Sequence, residues 1–444
     1  MKPDKTLVVI DPGHFHAALV QKTMPGGVSP VAHVFAPDGS ELDAHLRLVN
    51  GFSARTDSPT SWRENVYCGD DFLERFTSAA RSGALGENPV VVLAGRNDRK
   101  GGYALAAVEA GCHVLADKPL AITQKAFDLT EKAVRLAEAK GLQFSDMMTE
   151  RHVAINAIRR ELVADRSLYG DQEKGSTDVP AVAMSSVHHF CKLVDGKPLR
   201  RPVWYYDTSV QGEGIADVTV HLVDQVQWTL FPSKRLSEDD VQVLSADTWP
   251  TGISPGEFEL STGCRPVSVV SVAANGSFTW RLGGVFCKAS VEWNFMAPRG
   301  SGDTHCSVMR GTKAELIVRQ GAAESYKPTL YVQARRDAAE TDAALACAME
   351  RLSDRWPGVA AVPSEERGLW RIDVPKGLDS GHEGHFGEVV KEFLSRIDSG
   401  RMYDDELANM LVKYRTIVEA RNLAHKTKSM PRTKGGAAWQ GAVS

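Results

Sequence analysis

The sequence has no CxxC pair, and no apolar run approaches the roughly 20 residues that a bilayer-crossing helix needs. Its seven cysteines, Cys68, Cys112, Cys191, Cys264, Cys287, Cys306 and Cys347, are odd in number and widely spaced. That argues against a disulfide framework and reads as reduced thiols in a cytoplasmic protein. An excess of either charge is also missing: 52 Lys and Arg face 56 Asp and Glu, and the basic residues are scattered. Nucleic acid is therefore not an expected partner. The opening MKPDKTLVVIDPGHF sets a charged turn before a short strand-like run and lacks the apolar centre of a secretory signal. What is present is an ordinary globular mixture, 43% hydrophobic and 24% charged. The 444 residues suit two domains at roughly 150 residues each.

The first third alternates short apolar runs with helical periods, as a parallel sheet with crossover helices does. Strands are expected at Leu7 to Ile10, Val31 to Phe35, Pro89 to Ala94 and His113 to Ala116. Helices are expected at Ala17 to Thr23, Phe72 to Arg81, Tyr103 to Ala110 and Phe127 to Lys140, the last closed by Gly141. The polar segment Glu41 to Cys68 reads as a long loop, either functional or a surface elaboration.

Beyond about residue 175 the texture turns β-rich, with runs such as VPAVAMSSVHHF, VFCKASVEWNF and AELIVRQ between Gly, Pro and Asp turns. An antiparallel or mixed sheet is expected there, followed by a helical return from Phe386 to Arg421. The fold expectation is an α/β Rossmann-like domain over 1–150 and an α+β domain with a large, mainly antiparallel open sheet over 151–425. The basic tail 426–444 is expected to be mobile or to reach a neighbouring subunit. An open sheet with one apolar face needs cover, so a homo-oligomer is expected.

Two segments carry a resemblance. PVVVLAGRNDRKGGYALAAVEAGCHVLADKPLAIT, Pro89 to Thr123, runs strand, loop, helix, strand and ends in Asp117-Lys118-Pro119. GIADVTVHLVDQVQWTL, Gly214 to Leu230, has Asp217, His221 four residues on and Asp224 three beyond. The pair resembles the signatures of the glucose-fructose oxidoreductase, inositol dehydrogenase and MocA family, whose first motif is Glu-Lys-Pro. QGEGI, Gln211 to Ile215, and VHHF, Val187 to Phe190, look like markers of a subgroup of oxidoreductases with a distinctive C-terminal domain.

The resemblance implies a bound nicotinamide dinucleotide, NAD or NADP, and hydride transfer on a secondary alcohol of a sugar, cyclitol or polyol. Lys118 would bond the substrate oxygen, His221 would exchange its proton, and Asp217 would orient the imidazole or bind a hydroxyl. His188, His189, Lys192, Trp204, Gln211 and Asp224 are the candidate substrate contacts. Asp38 sits either where an acid meets the ribose hydroxyls or in a plain Asp38-Gly39 turn, and Arg96, Asn97, Lys118 and Pro119 lie near strand ends, where ligands bind in open α/β sheets. Two alternatives remain: a glycoside-cleaving enzyme that uses NAD transiently, and a non-catalytic cofactor-binding protein.

This sequence departs from the family at the phosphate loop. A dinucleotide fingerprint spaces glycines so that the backbone approaches the pyrophosphate. Here the turn reads Asp11-Pro12-Gly13-His14-Phe15-His16 and keeps only the middle glycine. A carboxylate there repels phosphate unless it points away or caps the helix. Gly13, His14, Phe15 and His16 are the expected cofactor contacts. A strand-to-helix turn already explains the spacing of His14 and His16, so no metal is expected; His382 and His385 of HEGH read as capping or surface residues, or as a glycine-flanked pair that lines a site.

Overall fold

The computed structural model describes residues 4–194, 197–198, 200–401 and 404–429. Strands β1 (Thr6–Ile10), β2 (Val31–Ala36), β3 (Arg63–Cys68), β4 (Pro89–Leu93), β5 (His113–Ala116) and β6 (Phe144–Asp146) pair in parallel. Their order is β3-β2-β1-β4-β5-β6, so the chain reverses its direction of travel across the sheet between β1 and β4. A crevice opens outside the carboxyl ends of the strands at such a point. β1 and β5 are buried along their whole length, which is why they read as unbroken apolar runs.

The crossover helices are α1 (His16–Leu19), α2 (Ser40–Ala54), α3 (Phe72–Arg81), α4 (Lys100–Glu109) and α5 (Gln124–Lys140). Thr123 caps α5 by accepting from the Ala126 amide, and Gly141 closes it at φ 68. The expected long loop from Glu41 to Cys68 is instead α2 followed by β3. β3 is the sheet's edge, mostly exposed, with the sequence RENVYC; it offers no apolar run to read. α2 buries only Leu42, His45 and Val49, too narrow a stripe to stand out. The helix expected at Ala17 to Thr23 is a single turn.

The second sheet has nine strands: β7 (Val182–Cys191), β8 (Val241–Ile253), β9 (Val270–Leu282), β10 (Val285–Met296), β11 (Thr304–Arg310), β12 (Ala314–Gln320), β13 (Thr329–Ala334), β14 (Ala360–Pro363) and β15 (Leu369–Asp373). In space they run β8-β9-β10-β7-β11-β12-β13-β15-β14, antiparallel throughout except for β10 beside β7. Ala289, Val291, Leu316, Val318 and Val332 point into the core, while Lys288, Glu315, Ile317, Arg319 and Tyr331 form a half-buried outer face. That outer face is mixed rather than broadly apolar.

Helices α6 (Ala154–Ala164), α7 (Thr219–Leu230), α8 (Gly381–Ser399) and α9 (Asp404–Ser429) complete the frame. α9 packs on α7 and along β8. α8 crosses back to the first sheet, where Phe386, Val389, Val390 and Phe393 join Leu7, Val9, Val90 and Val92 in one core. Helix α1 is too short to cover that face, and α8 supplies the missing layer. Of the expected tail, 426–429 extends α9, and 430–444 lies outside the described residues. No described helix is long and apolar enough to cross a membrane.

Two histidines of the first domain carry a pH dependence. Burial pushes His45 and His113 down to about 4, and neither ring nitrogen of His45 has a hydrogen-bond partner among the described residues. Both stay neutral in the folded chain while the unfolded chain protonates them below about pH 6.5. The unfolded state then binds more protons, so stability is present above that value and falls as pH drops towards the folded values. Each histidine is expected to cost about 1.4 kcal/mol per pH unit in that window. Urea midpoints at pH 7.5 and pH 5 measure it; His45→Phe should flatten the slope, and an unchanged slope would count against the assignment.

Candidate functional site

Where the two domains meet, a cavity of about 540 Å³ opens at the β1/β4 crevice. The loop after β1 supplies His14 and Phe15, the start of α1 supplies His16, and the end of β5 supplies Asp117 and Lys118. Asp117 is fixed through its backbone: its amide donates to the Leu93 carbonyl at 2.7 Å, and its own carbonyl accepts from the buried Lys100 ammonium at 2.8 Å. The loops after β1 and β4 touch. A Cβ on Gly95 would lie 2.0 Å from the Asp11 carbonyl oxygen, so only glycine allows the approach.

From the second domain come Asp217 and His221, across the junction of a short helix at Gly214–Asp217 with α7. Close packing seats that junction, since a Cβ on Gly214 would meet the Ala274 carbonyl at 1.9 Å. Lys118 Nζ donates to Asp217 Oδ1 at 2.8 Å. Burial opposes the charge on Lys118, but Asp217 and Asp117 outweigh it and hold the ammonium above the ordinary lysine value. Burial likewise opposes ionisation of Asp217, and Lys118 more than offsets it. His221 is different: burial, reinforced by the Lys118 charge, pushes it down to about 3, so the ring is neutral near pH 7. Its Nδ1 is buried with no partner among the described residues.

Lys118, Asp217 and His221 thus share one cavity, but Asp217, expected to orient the imidazole or bind a hydroxyl, is bonded to the lysine. Trp204, Gln211, Asn97, His188 and Lys192 line the same cavity. Asn97 Nδ2 donates to the Gln211 carbonyl at 2.6 Å, joining the first domain to the second. His189 does not line it; it is buried, with Nδ1 2.9 Å from Asp303 Oδ1. Asp224 is not brought to the cavity either. It takes both arms of Arg151 at 2.7 Å and Lys413 at 2.8 Å, as a buried member of an ion network. The D-x-x-x-H-x-x-D spacing put it three residues past His221, where the helix turns it towards α9.

Several cavity residues carried no signal in the sequence. Glu150, pushed up by burial, accepts from Asn156, and Arg159 donates to Ser307 and Gln225. His305 lies on the same wall, and Asp303 gathers His188, His189 and Lys192. The Gly-rich RGSGDTH was the one local hint, a turn ending in an acid and a histidine. His382 also reaches the cavity from the first turn of α8, and His385, expected at the surface or as a cap, is buried and bonded to Asp379 at 3.0 Å.

A smaller cavity of about 210 Å³ lies on the far side of the β1 loop, lined by Asp11, Asp38, Glu41 and Arg96 among others. Asp11 sits at φ 48, and its buried carboxylate accepts from the Tyr103 hydroxyl at 3.0 Å. Between the two cavities stands the Trp204 indole, 3.1 Å from where a Gly13 Cβ would be, and its Nε1 donates to Glu41. Pro119, joined to Lys118 by a cis peptide bond, lies behind the cavity wall rather than on it.

Over residues 158–425 the chain matches the family described as "Putative oxidoreductase C terminal domain". No curated protein matches it. A solved structure described as a "putative oxidoreductase" from Parabacteroides merdae is 42% identical, with 96% of this chain and 98% of that one covered at a TM-score of 0.92. Levoglucosan dehydrogenase in complex with NADH and levoglucosan is 14% identical, covering 95% and 98% at 0.61. Biliverdin reductase from Synechocystis with biliverdin and NADP+ is also 14% identical, covering 96% and 100% at 0.56. At that identity the last two show a shared fold.

Proposed function

Since the chain belongs to the family of the "Putative oxidoreductase C terminal domain", we propose that it is an NAD(P)-dependent oxidoreductase of the glucose-fructose oxidoreductase, inositol dehydrogenase and MocA type. Its substrate would be a secondary alcohol of a sugar, cyclitol or related polyol. The observation that carries the reading is the Lys118–Asp217 pair beside His221 in the crevice where the parallel sheet reverses. Two folds of this kind, levoglucosan dehydrogenase and biliverdin reductase, are described with NADH and NADP+.

The residues fit a dinucleotide at both ends. Asp38 and Arg96 border the small cavity, as a ribose-binding acid and a phosphate-binding cation would. Lys118 and His221 border the large one, and Trp204, packed on Gly13, stands between, so its indole must turn aside for the middle of the molecule. When bound, the nicotinamide supplies the hydride acceptor or donor. The chain supplies the rest: Lys118, kept charged by Asp217, holds the alcohol oxygen and favours negative charge on it, and the neutral His221 takes a hydrogen bond or proton through a ring nitrogen. Wall groups such as Glu150, Arg159 and His188 suit the remaining hydroxyls of a polyol.

Calorimetry on nucleotide-stripped protein tests the reading: saturable binding of NAD(H) or NADP(H) is expected, with a change in tryptophan fluorescence that Trp204→Phe diminishes. Absence of binding for all four would remove the basis of the assignment. The reading extends to a homo-oligomer, for which the outer face of the nine-stranded sheet, mixed in character and not the apolar face expected, is the candidate surface. Light scattering is expected to give a dimer or larger, and a clean monomer mass at micromolar concentration would overturn that part.

A further inference from the structure

The two histidines of the altered loop have a partner that the sequence placed 101 residues away from His16. His16 Nδ1 lies 2.9 Å and His14 Nδ1 3.7 Å from one and the same oxygen, Asp117 Oδ2. One ligand atom from each of the three falls within 4.8 Å of the others. Metal–nitrogen and metal–oxygen bonds of about 2.0–2.2 Å at tetrahedral angles set neighbouring ligands roughly 3.3 Å apart. The two measured separations bracket that figure. We propose that His14, His16 and Asp117 bind a divalent first-row transition metal, with its open positions facing the main cavity.

Three features favour a metal over a simple hydrogen bond. Both ring nitrogens converge on one carboxylate oxygen instead of spreading over its several acceptor sites, as a single shared ion would require. Two imidazoles and one carboxylate on a cavity wall are the donor set of open, reactive sites that hold such ions while leaving coordination positions for substrate. The set is also held from behind: Asp117 is anchored through its backbone to Leu93 and Lys100, and the His16 ring packs against Phe386 at 4.5 Å between centroids. The nearby cations do not forbid it, because Lys118 is neutralised by Asp217 and the Lys100 ammonium faces backbone carbonyls. A metal here accounts for the histidine that stands where a fingerprint glycine belongs.

The proposal does not rest on the nucleotide reading, and its test contains no nucleotide or substrate. Full-length protein without a histidine tag, stripped with chelator and dialysed, is titrated with Zn²⁺ and with Co²⁺. One equivalent per chain is expected, with Co²⁺ giving visible absorption bands and raising the melting temperature. His14→Ala and His16→Ala should each weaken binding by at least tenfold. Should either variant unfold, Asp117→Asn keeps the side-chain shape and gives the same readout. No saturable binding, or one equivalent bound with unchanged affinity in these variants, overturns the site.

Discussion

Lys118→Ala is expected to lower turnover by about 10²–10⁴-fold while leaving nucleotide affinity nearly unchanged, the range that a positioned proton-handling or charge-stabilising group supplies. The lysine reaches the cavity at the end of β5, where it can meet an alcohol oxygen, and Asp217 at 2.8 Å keeps it charged. A second cause of loss needs separating, because truncating the lysine leaves Asp217 as an unpaired charge in a buried place. Lys118→Ala combined with Asp217→Asn removes that charge. If the lysine acts on substrate, the double variant stays as slow as the single one; recovery of turnover in the double variant, or full activity in the single one, would sink the role. A panel of sugars and polyols followed by nicotinamide absorbance provides the substrate for the measurement.

The largest expected effect on stability lies at Lys413. Its ammonium is fully buried on α9 between Asp146 at the end of β6 and Asp224 on α7, 2.8 Å from each. Arg151 completes the cluster on Asp224, and Tyr414 donates to Asp146 at 2.8 Å. Burial raises the cost of a charged Asp224, and Arg151 and Lys413 together overcome it, holding the carboxyl well below its usual range. Removing the lysine leaves two buried carboxylates to share one guanidinium and one hydroxyl. Lys413→Met should therefore cost about 3–5 kcal/mol, as breaking a buried pair does. Urea unfolding with an unchanged slope reports it directly; a shift worth under about 1 kcal/mol would show that the network contributes little.

How much of this was legible follows from what a local pattern encodes. β1, β4 and β5 were legible because burial on both faces demands continuous apolar runs, and the end of α5 because Gly141 takes a positive φ. Lys118, Asp217 and His221 were legible as two motifs, though the bond that links the motifs was not. β3 and α2 were hidden because an edge strand and a narrowly buried helix leave their polar residues in water. Asp224 shows the opposite failure: a spacing that looked chemical serves an ion cluster whose lysine lies 189 residues later. His16 and Asp117 share that property, since a contact across a sheet crevice leaves no trace in either neighbourhood.

The placement of α8 also has a consequence for how the chain is made. Leu7, Val9, Val90 and Val92 present one face of the first sheet to Phe386, Val389 and Phe393, so that face is complete only once a helix some 235 residues beyond the sheet's last strand has been made. On a ribosome adding about 5–20 residues per second, the sheet's last strand emerges roughly 10–50 s before its covering helix. During that interval the nascent domain carries an apolar surface open to collapse or to capture by a chaperone. A stalled or prematurely terminated chain ending before residue 380 keeps that surface for good, so such fragments should be recovered as aggregates or chaperone-bound species rather than as a freestanding nucleotide-binding domain.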